Sequence, residues 1–318
     1  MKIIKKIEVV PHDPNWLSIF EAEAAQIKKI LGNNCIALHH VGSTAIPGLA
    51  AKPKIDIIMV VRDLFFQASE LEAIGYKYRG GFNIPLRKFF TIRTADRNIN
   101  LHVFEENDPE IELNILFRDH LRSHHDARDE YALLKYNLIA EESLHEKNDS
   151  IYTRYTLGKH DFIQNILNQS GFNKHRFVLC THTVEWNSAR HFRDKYFFGP
   201  HGIQDPYTWT FNHSEHAHLM FYQGIEIIGY SHIQFWSNHR AAIRIIAVEE
   251  DKRNQNAGSK FLALSEKWLK CLGIKSIHAE SRQTSLRFYL QNGYTDMPFD
   301  DPDNHEFNPH DIPVGKIL

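Results

Sequence analysis

Residues able to do chemistry concentrate in two stretches of this 318-residue chain. In the first, an apolar, β-branched run over residues 243–248 gives way to acidic and turn-forming residues, then to helically spaced Phe261, Leu262, Leu264 and Leu269. That pattern reads as strand, loop, helix. The loop, Arg253, Asn254, Gln255, Asn256, Ala257, Gly258 and Ser259, is rich in Asn and ends on Gly258. Its backbone is therefore expected to turn N–H groups toward one point at the helix start, which is an anion site. In the second stretch, residues 39–61, a tight Gly42–Ser43–Thr44 turn follows one predicted strand and a carboxylate, Asp56, stands on the next.

The first stretch resembles the GCN5-related N-acetyltransferases (GNAT). Their signature, Arg or Gln, two residues, Gly, one residue, then Gly or Ala, is met by Arg253, Asn256 and Gly258. Asn256 replaces the first Gly, a mild departure because Asn is enriched at positive φ. A second block of that family, Ala-Arg, spacer, Phe-Tyr, three residues, Gly-Phe/Tyr, is met by Ala279, Arg282, Phe288, Tyr289, Gly293 and Tyr294. The resemblance implies acetyl-CoA as cofactor, its pyrophosphate held by the 253–259 loop with Arg253 adding charge. It further implies a pantetheine arm bound by the backbone of Ala247 and Val248, Arg282 beside the cofactor, and Tyr289 as the acid that protonates the departing thiolate. Glu280 and Glu249, each at a strand end, are the candidate general bases. Read without the family, the loop is a plain connection and Tyr289 a half-buried aromatic with a wet hydroxyl.

The second stretch resembles the GrpB-like (UPF0157) family, whose fold is that of nucleotidyltransferases. The matching residues are Gly42, Ser43, Thr44, Pro47, Gly48, Leu49, Lys52, Pro53, Ile55, Asp56 and Ile57, with further agreement at residues 99–104, at 116–124, and at Tyr155, Lys159 and Phe162. In nucleotidyltransferases the Gly-Ser turn grips a triphosphate, and acidic residues on two strands hold Mg²⁺. Gly42, Ser43, Lys52 and Arg93 would suit a phosphate and Asp56 a metal. Lys54, Ile58 and His102 stand where the other carboxylates would be. One carboxylate does not hold two hard cations, so the expectation is nucleotide or phosphate binding, with at most one shared Mg²⁺, and no efficient nucleotidyl transfer. Outside that reading, Asp56 would be a structural partner of Lys52 or an Arg.

Composition sets limits on partners and compartment. Net charge is −2, from 37 basic and 39 acidic residues, so no overall field draws the chain to nucleic acid or membrane. Cys35, Cys180 and Cys271 are widely spaced and unpaired in pattern, which suggests a reducing, cytoplasmic setting. No signal-peptide core precedes Pro11. Histidine is abundant at 21, and the run His213, His216, His218 reads as a polar loop before a strand or, less simply, a metal site.

The elements that must position these residues follow. Asp13–Pro14 starts a helix with Trp16, Phe20, Ala24, Ile27 and Leu31 on one face, ended by Gly32. Residues 109–123, 127–144 and 151–167 read as helices capping a sheet, with Ile111, Ile115, Leu116 and then Leu133, Leu134, Leu138 facing inward. A polar stretch at 168–174 divides the chain into domains 1–170 and 171–318. In the second, strands are expected at 176–181, 217–222, 225–236 and 276–279, a helix at 186–197, a tight hairpin at Gln223–Gly224 and a last strand in the tail. The fold class is α+β (α/β): a nucleotidyltransferase-like mixed sheet with a helical cap, then a GNAT mixed sheet flanked by helices. The function expected is acetyl-CoA-dependent transfer to a small-molecule or peptide amine, tethered to a GrpB-like half that binds a nucleotide or a partner. The alternative makes the first half an active nucleotidyl or phosphoryl transferase and the second a CoA sensor. The acceptor is not legible, its recognition being expected from residues 199–218 and 300–310.

Overall fold

The computed structural model describes residues 8–64, 66–142, 154–303 and 310–318. The chain divides into two compact units, the first made of residues up to Phe82 together with Arg87–Lys174, the second of Asn83–Leu86 together with His175–Leu318. Among the described residues no helix is long and apolar enough to cross a membrane.

The first unit begins with α1 (Asn15–Leu31), where Asp13 Oδ1 accepts the amide of Asn15 and Gly32 closes the helix at φ 50°. Trp16, Ile27 and Leu31 bury as the spacing predicts, and Glu23 buries with them because Arg97 and Tyr76 bond its carboxylate. There follow β1 (Cys35–Val41), β2 (Ile55–Val61), α2 (Ala68–Glu72), β3 (Lys77–Tyr78), β4 (Lys88–Arg93) and β5 (Asn98–Glu105). The sheet order is β1-β2-β5-β4-β3. The central pair β2 and β5 is parallel, with Asp56 opposite Asn100 and Ile58 opposite His102. Such a pair is covered on both sides, and β2 accordingly reads as a near-continuous apolar run.

Helices α3 (Pro109–Ser123), α4 (His125–Glu142), α5 (Arg154–Leu157) and α6 (His160–Gln169) complete this unit. The predicted helix ends at Leu144 and Ile151 lie outside the described residues. One expectation is corrected on α4. Leu133 is 60% exposed, and the inward stripe is Tyr131, Lys135 and Leu138, spaced i, i+4, i+7. A lysine thus occupies a core position, at 1% exposure.

The second unit contains β6 (His175–Leu179), α7 (Thr183–Arg193), β7 (His216–Gln223), β8 (Glu226–Trp236), β9 (Arg240–Val248), α8 (Ala257–Cys271), β10 (Ser276–Ser281), α9 (Gln283–Gln291), β11 (Thr295–Asp296) and β12 (Ile312–Ile317). Its seven-stranded sheet runs β11-β12-β10-β9-β8-β7-β6. Leu219, Phe221, Phe261, Leu262, Leu269 and Tyr289 lie in the core that α8 and α9 share with the sheet, and Ala189, Phe192, Met220, Tyr222 and Tyr230 lie in the core that α7 shares with it. Beyond Arg193 the α7 helix widens into a π-helical turn, Asp194–Phe198, a departure common at functional sites. β7 begins at His216, so His213 lies before the strand as expected, whereas His216, with His218, is already on it. The middle of the 300–310 segment lies outside the described residues.

Candidate functional site

The second unit holds a cleft made by two strands that part company. β9 pairs with β8 over its whole length, but with β10 only from Arg240↔Ser276 to Ile243↔Ala279. The register of β8 slips at that point, with His232 opposite Ile245 and Ile233 opposite Ile243. Arg244 is therefore a bulge residue, and the extra twist of a bulge levers a strand away from its neighbour. From Arg244 onward, β9 and β10 form the two walls of a gap.

Three hydrogen bonds fix which backbone groups face that gap. Glu249 N donates to Ile228 O at 2.9 Å and Ser231 Oγ donates to Ile245 O at 2.9 Å, both toward β8. Val248 O instead accepts from Arg253 Nε at 3.1 Å. Alternation along the strand then turns the backbone of Ile246 and Val248 toward the gap and that of Ala247 toward β8. Of the expected pair, the backbone of Val248 faces the gap and that of Ala247 faces β8, with Ile246 the next residue to face the gap.

At the mouth of the gap lies the start of α8. Asn254 and Asn256 adopt left-handed backbone, φ 60° and 62°, a conformation Asn tolerates better than other side-chain-bearing residues. The first intrahelical bond runs from Lys260 N to Asn256 O. The amides of Ala257, Gly258 and Ser259 consequently have no acceptor within the helix and point out of its positive end. Gly258 was expected to make the turn, but it sits inside α8 at ordinary helical φ. Its small size serves packing instead, since a Cβ there would stand 3.2 Å from a ring carbon of Phe288. Gln255 Nε2 closes the loop onto Asp251 O at 2.7 Å. Arg253 and Arg282 are both exposed and lie over the rings of Tyr196 and Phe197, at 4.9 and 5.9 Å. Both rings come from the π-helical turn.

Tyr289, 6% exposed, packs in the same core as Val248 and Ala257 and edge-on to Tyr294 at 5.1 Å. Burial drives its pKa well above the usual phenol value, so the proton stays on the oxygen at neutral pH. Glu280 is half-buried on β10, one residue past the last pairing with β9. Glu249 Oε2 accepts from both Lys195 Nζ and Tyr196 Oη at 2.7 Å. Burial raises its pKa, but those two bonds outweigh burial and leave it below the ordinary value. A carboxylate so held stays ionised and is a weak base.

Sequence reading missed a polar net on the α7 side of the sheet. Arg193, 1% exposed, is paired with both oxygens of Asp205 at 2.6 and 2.8 Å. Its Nη1 also lies 3.3 Å from Tyr230 Oη and 3.3 Å from His232 Nδ1. Guanidinium only donates, so His232 Nδ1 must accept, and His232 Nε2 donates to His216 Nδ1 at 2.8 Å. By the same logic Tyr230 Oη donates to His218 Nδ1 at 2.7 Å, and His218 Nε2 donates to Thr210 O at 3.1 Å. The buried arginine therefore fixes the tautomers of His232 and His216, and the Thr210 carbonyl fixes that of His218. The arginine's only sequence mark is a basic residue on the apolar side of α7.

In the first unit, Gly42 adopts φ 69° and passes over Asp56, so closely that a Cβ on it would lie 2.7 Å from Asp56 Oδ2. Asn100 Nδ2 donates to Asp56 Oδ1 at 2.6 Å, and His102 Nε2 stands 3.6 Å from the same oxygen. Arg93 donates to the Asn100 side-chain oxygen, and Arg87 Nη1 lies 3.3 Å from His102 Nδ1. The partners of Asp56 are thus on β5, rather than Lys52 or an Arg as expected. Burial raises the Asp56 pKa, yet the nearby His102, the Asn100 hydrogen bond and the charge of Lys54 bring it below the ordinary value.

Lys135 Nζ donates to Ala50 O and to Ser43 Oγ, the latter at 3.3 Å. Burial, with Lys159 nearby, lowers its pKa to about 7. Lys52 and Lys159 share the ring of Tyr155, at 3.7 and 4.6 Å from its centroid. The Lys159 pKa is lowered by burial and by Lys54, against the opposing pull of Asp56. Lys135 and Lys159 had drawn no site expectation. The signal available for Lys135 was a lysine in register with an apolar stripe. As a Mg²⁺ ligand set the group does not fit: one carboxylate has one oxygen bonded and the other against backbone, and its neighbours are cations. Among the described residues no three His, Cys, Asp or Glu come together as metal ligands.

Comparison with known proteins agrees with both halves. The acetyltransferase (GNAT) family profile matches residues 186–294. An acetyltransferase of the GNAT family from Staphylococcus aureus, 15% identical, covers 46% of this chain and 99% of its own, with a TM-score of 0.39. The UPF0157 protein YqkA of Bacillus subtilis is 36% identical over 163 residues, half of this chain; that match spans 46% of YqkA. The crystal structure of GrpB from Enterococcus faecalis is 33% identical, covers 51% of this chain and 96% of its own, and has a TM-score of 0.46. With the GrpB profile matching residues 6–169, more than half its length, the chain belongs to the GrpB protein family and continues into a GNAT acetyltransferase domain.

Proposed function

We propose that the second unit is an acetyl-CoA-dependent N-acetyltransferase, and that the first binds a nucleotide or another phosphate-bearing ligand without efficient nucleotidyl transfer. The observation that carries the first half is the divergence of β9 and β10 at Arg244, with the open amides of α8 at its mouth. The residues present fit the cofactor. Ile246 and Val248 offer strand-edge backbone to an amide-bearing arm, as an added strand would take it. The amides of residues 257–259 and Arg253 meet a pyrophosphate. Bound acetyl-CoA supplies a thioester acyl group. The chain's part is to hold the acceptor amine, take its proton at Glu280 as nitrogen bonds to carbon, and give a proton from Tyr289 Oη to the leaving sulfur. Glu249 fixes Lys195 and Tyr196 beneath Arg253 in this reading.

The test is calorimetry with CoA, followed by thiol release from acetyl-CoA with a panel of amines. Gly258→Val is expected to push Phe288 and the first turn of α8 apart and to weaken CoA binding by about tenfold or more, given how tightly that contact is packed. Unchanged affinity in that variant would remove the α8 loop from the cofactor site. The reverse assignment, an active transferase in the first unit, predicts label transfer from ATP that vanishes in Asp56→Ala, and the charges around Asp56 argue against it.

A further inference from the structure

We infer that the first unit takes its anionic ligand without a divalent metal, lysine ammonium groups standing where the nucleotidyltransferase fold would place the cations. The inference rests on the anion-binding reading above and specifies how that site works. It starts from a mismatch of charge. Lys52, Lys54, Lys135 and Lys159 converge on Ser43, Tyr155 and Asp56, with Arg87 and Arg93 behind them on the β4 side. Among the described residues, Asp56 is the carboxylate that acts on Lys54, Lys159 and Arg93, and Glu110 acts on the far side through His102.

Charges withdrawn from water are normally compensated close by. Lys135 is 1% exposed, and Tyr155, on whose ring Lys52 and Lys159 lie, is 4% exposed. Lys135 is met by an oxygen dipole at Ala50 and a hydroxyl at Ser43, which hold it in place without neutralising it. A ligand with two or more negative charges, bridging Ser43, Lys135 and Lys159, would draw the proton back onto Lys135, whose pKa is about 7 without it. It would also add counter-charge beside Lys159, to which Asp56 contributes among the described residues.

Asp56 has a different task in this arrangement. Its Oδ1 is bonded by Asn100 and faces His102, and its Oδ2 lies under Gly42. It holds the Gly42–Ser43 turn against β5 and keeps Lys54 and Lys159 oriented. The two possible roles differ in sign. If Asp56 carries a metal to the ligand, removing its charge abolishes binding. If it only orients cations, removing its charge lowers the repulsion felt by the anion and binding tightens.

The probe is inorganic tripolyphosphate, titrated calorimetrically into the full chain with CoA present at saturation, so that the α8 amides are occupied. Binding is expected in EDTA, with Mg²⁺ leaving the affinity unchanged or lowering it by competing for the probe. Lys135→Met and Lys159→Met should each weaken it by about tenfold or more, and Asp56→Asn should strengthen it about two- to tenfold, as a nearby unit charge does at intermediate dielectric. Thermal melts of each variant distinguish a lost site from a lost fold, and Lys135→Met is expected to melt no lower than the parent because it removes a buried charge. Binding that appears only with Mg²⁺, or that is lost in a folded Asp56→Asn variant, would overturn the metal-free site. No binding with or without Mg²⁺ would instead remove the anion-binding reading itself.

Discussion

Tyr289→Phe is expected to lower kcat on the true acceptor by about 10² or more while leaving CoA affinity nearly unchanged, the size typical of a lost general acid. The asymmetry follows from where the ring sits. Tyr289 buries its body in the α8–α9 core against Tyr294, so a phenylalanine keeps the packing that shapes the cleft. Among the described residues the hydroxyl makes no hydrogen bond that phenylalanine would break. What is lost is a proton held firmly by burial. In the proposed reaction, a thiolate leaving without that proton would carry its charge beside the apolar core that holds Val248, Ala257 and Tyr289, where it is poorly solvated. Steady-state kinetics with thiol detection, alongside calorimetry with CoA, separates the two effects. An unchanged kcat would take Tyr289 out of the reaction.

The largest stability effect is expected at Gly42. In Gly42→Ala the residue must hold φ 69°, which costs a side-chain-bearing residue about 1–2 kcal/mol. Its Cβ must also occupy a point 2.7 Å from Asp56 Oδ2, so the turn or the carboxylate has to move. If the turn moves, Ser43 leaves Lys135; if Asp56 moves, it leaves Asn100. Together these suggest a loss of about 2–4 kcal/mol from the first unit. Denaturant unfolding followed by probes in each unit would show it as an earlier first-unit transition, with the second unit unmoved. A loss below about 1 kcal/mol would mean that the turn relaxes at little cost.

Much of this was legible because the decisive signals are local and periodic. The α1 stripe, the apolar runs of β1 and β2, the Pro109 start of α3 and the strand–loop–helix at Val248–Ala257 follow from residues within one or two turns of each other. The departures all depend on partners distant in sequence. β3 and β4 were not anticipated, since two- and six-residue strands carry too little periodicity to stand out. Whether Ala247 or Ile246 faces the cleft depends on a bulge at Arg244 that only the β8 register reveals. The contacts of Asp56 with Asn100 and His102 come from the parallel pairing of strands 44 residues apart. Lys135 stands in register with an apolar stripe, but only the Ser43 turn and the Ala50 carbonyl, more than eighty residues earlier, show that it is buried, and Leu133, two positions earlier, is left outside.

The net rooted at Arg193 bears on how the second unit meets acid. His218 is held neutral by burial, with a pKa lowered to about 4, and burial pushes His232 well below its ordinary value. In the unfolded chain both would titrate near 6.5. As pH falls below that value the unfolded state takes up protons that the folded state refuses, so stability is intact above about 6.5 and drains away toward 4. For His218 alone the difference amounts to about 3 kcal/mol. There is no room for an added proton on either ring: His232 Nδ1 already faces Arg193, and His218 Nδ1 already accepts from Tyr230. The second unit is therefore expected to melt cooperatively in mild acid, at a pH where its surface carboxylates are still ionised. Protons would act on it as a denaturant delivered to two histidines that share one buried arginine's net.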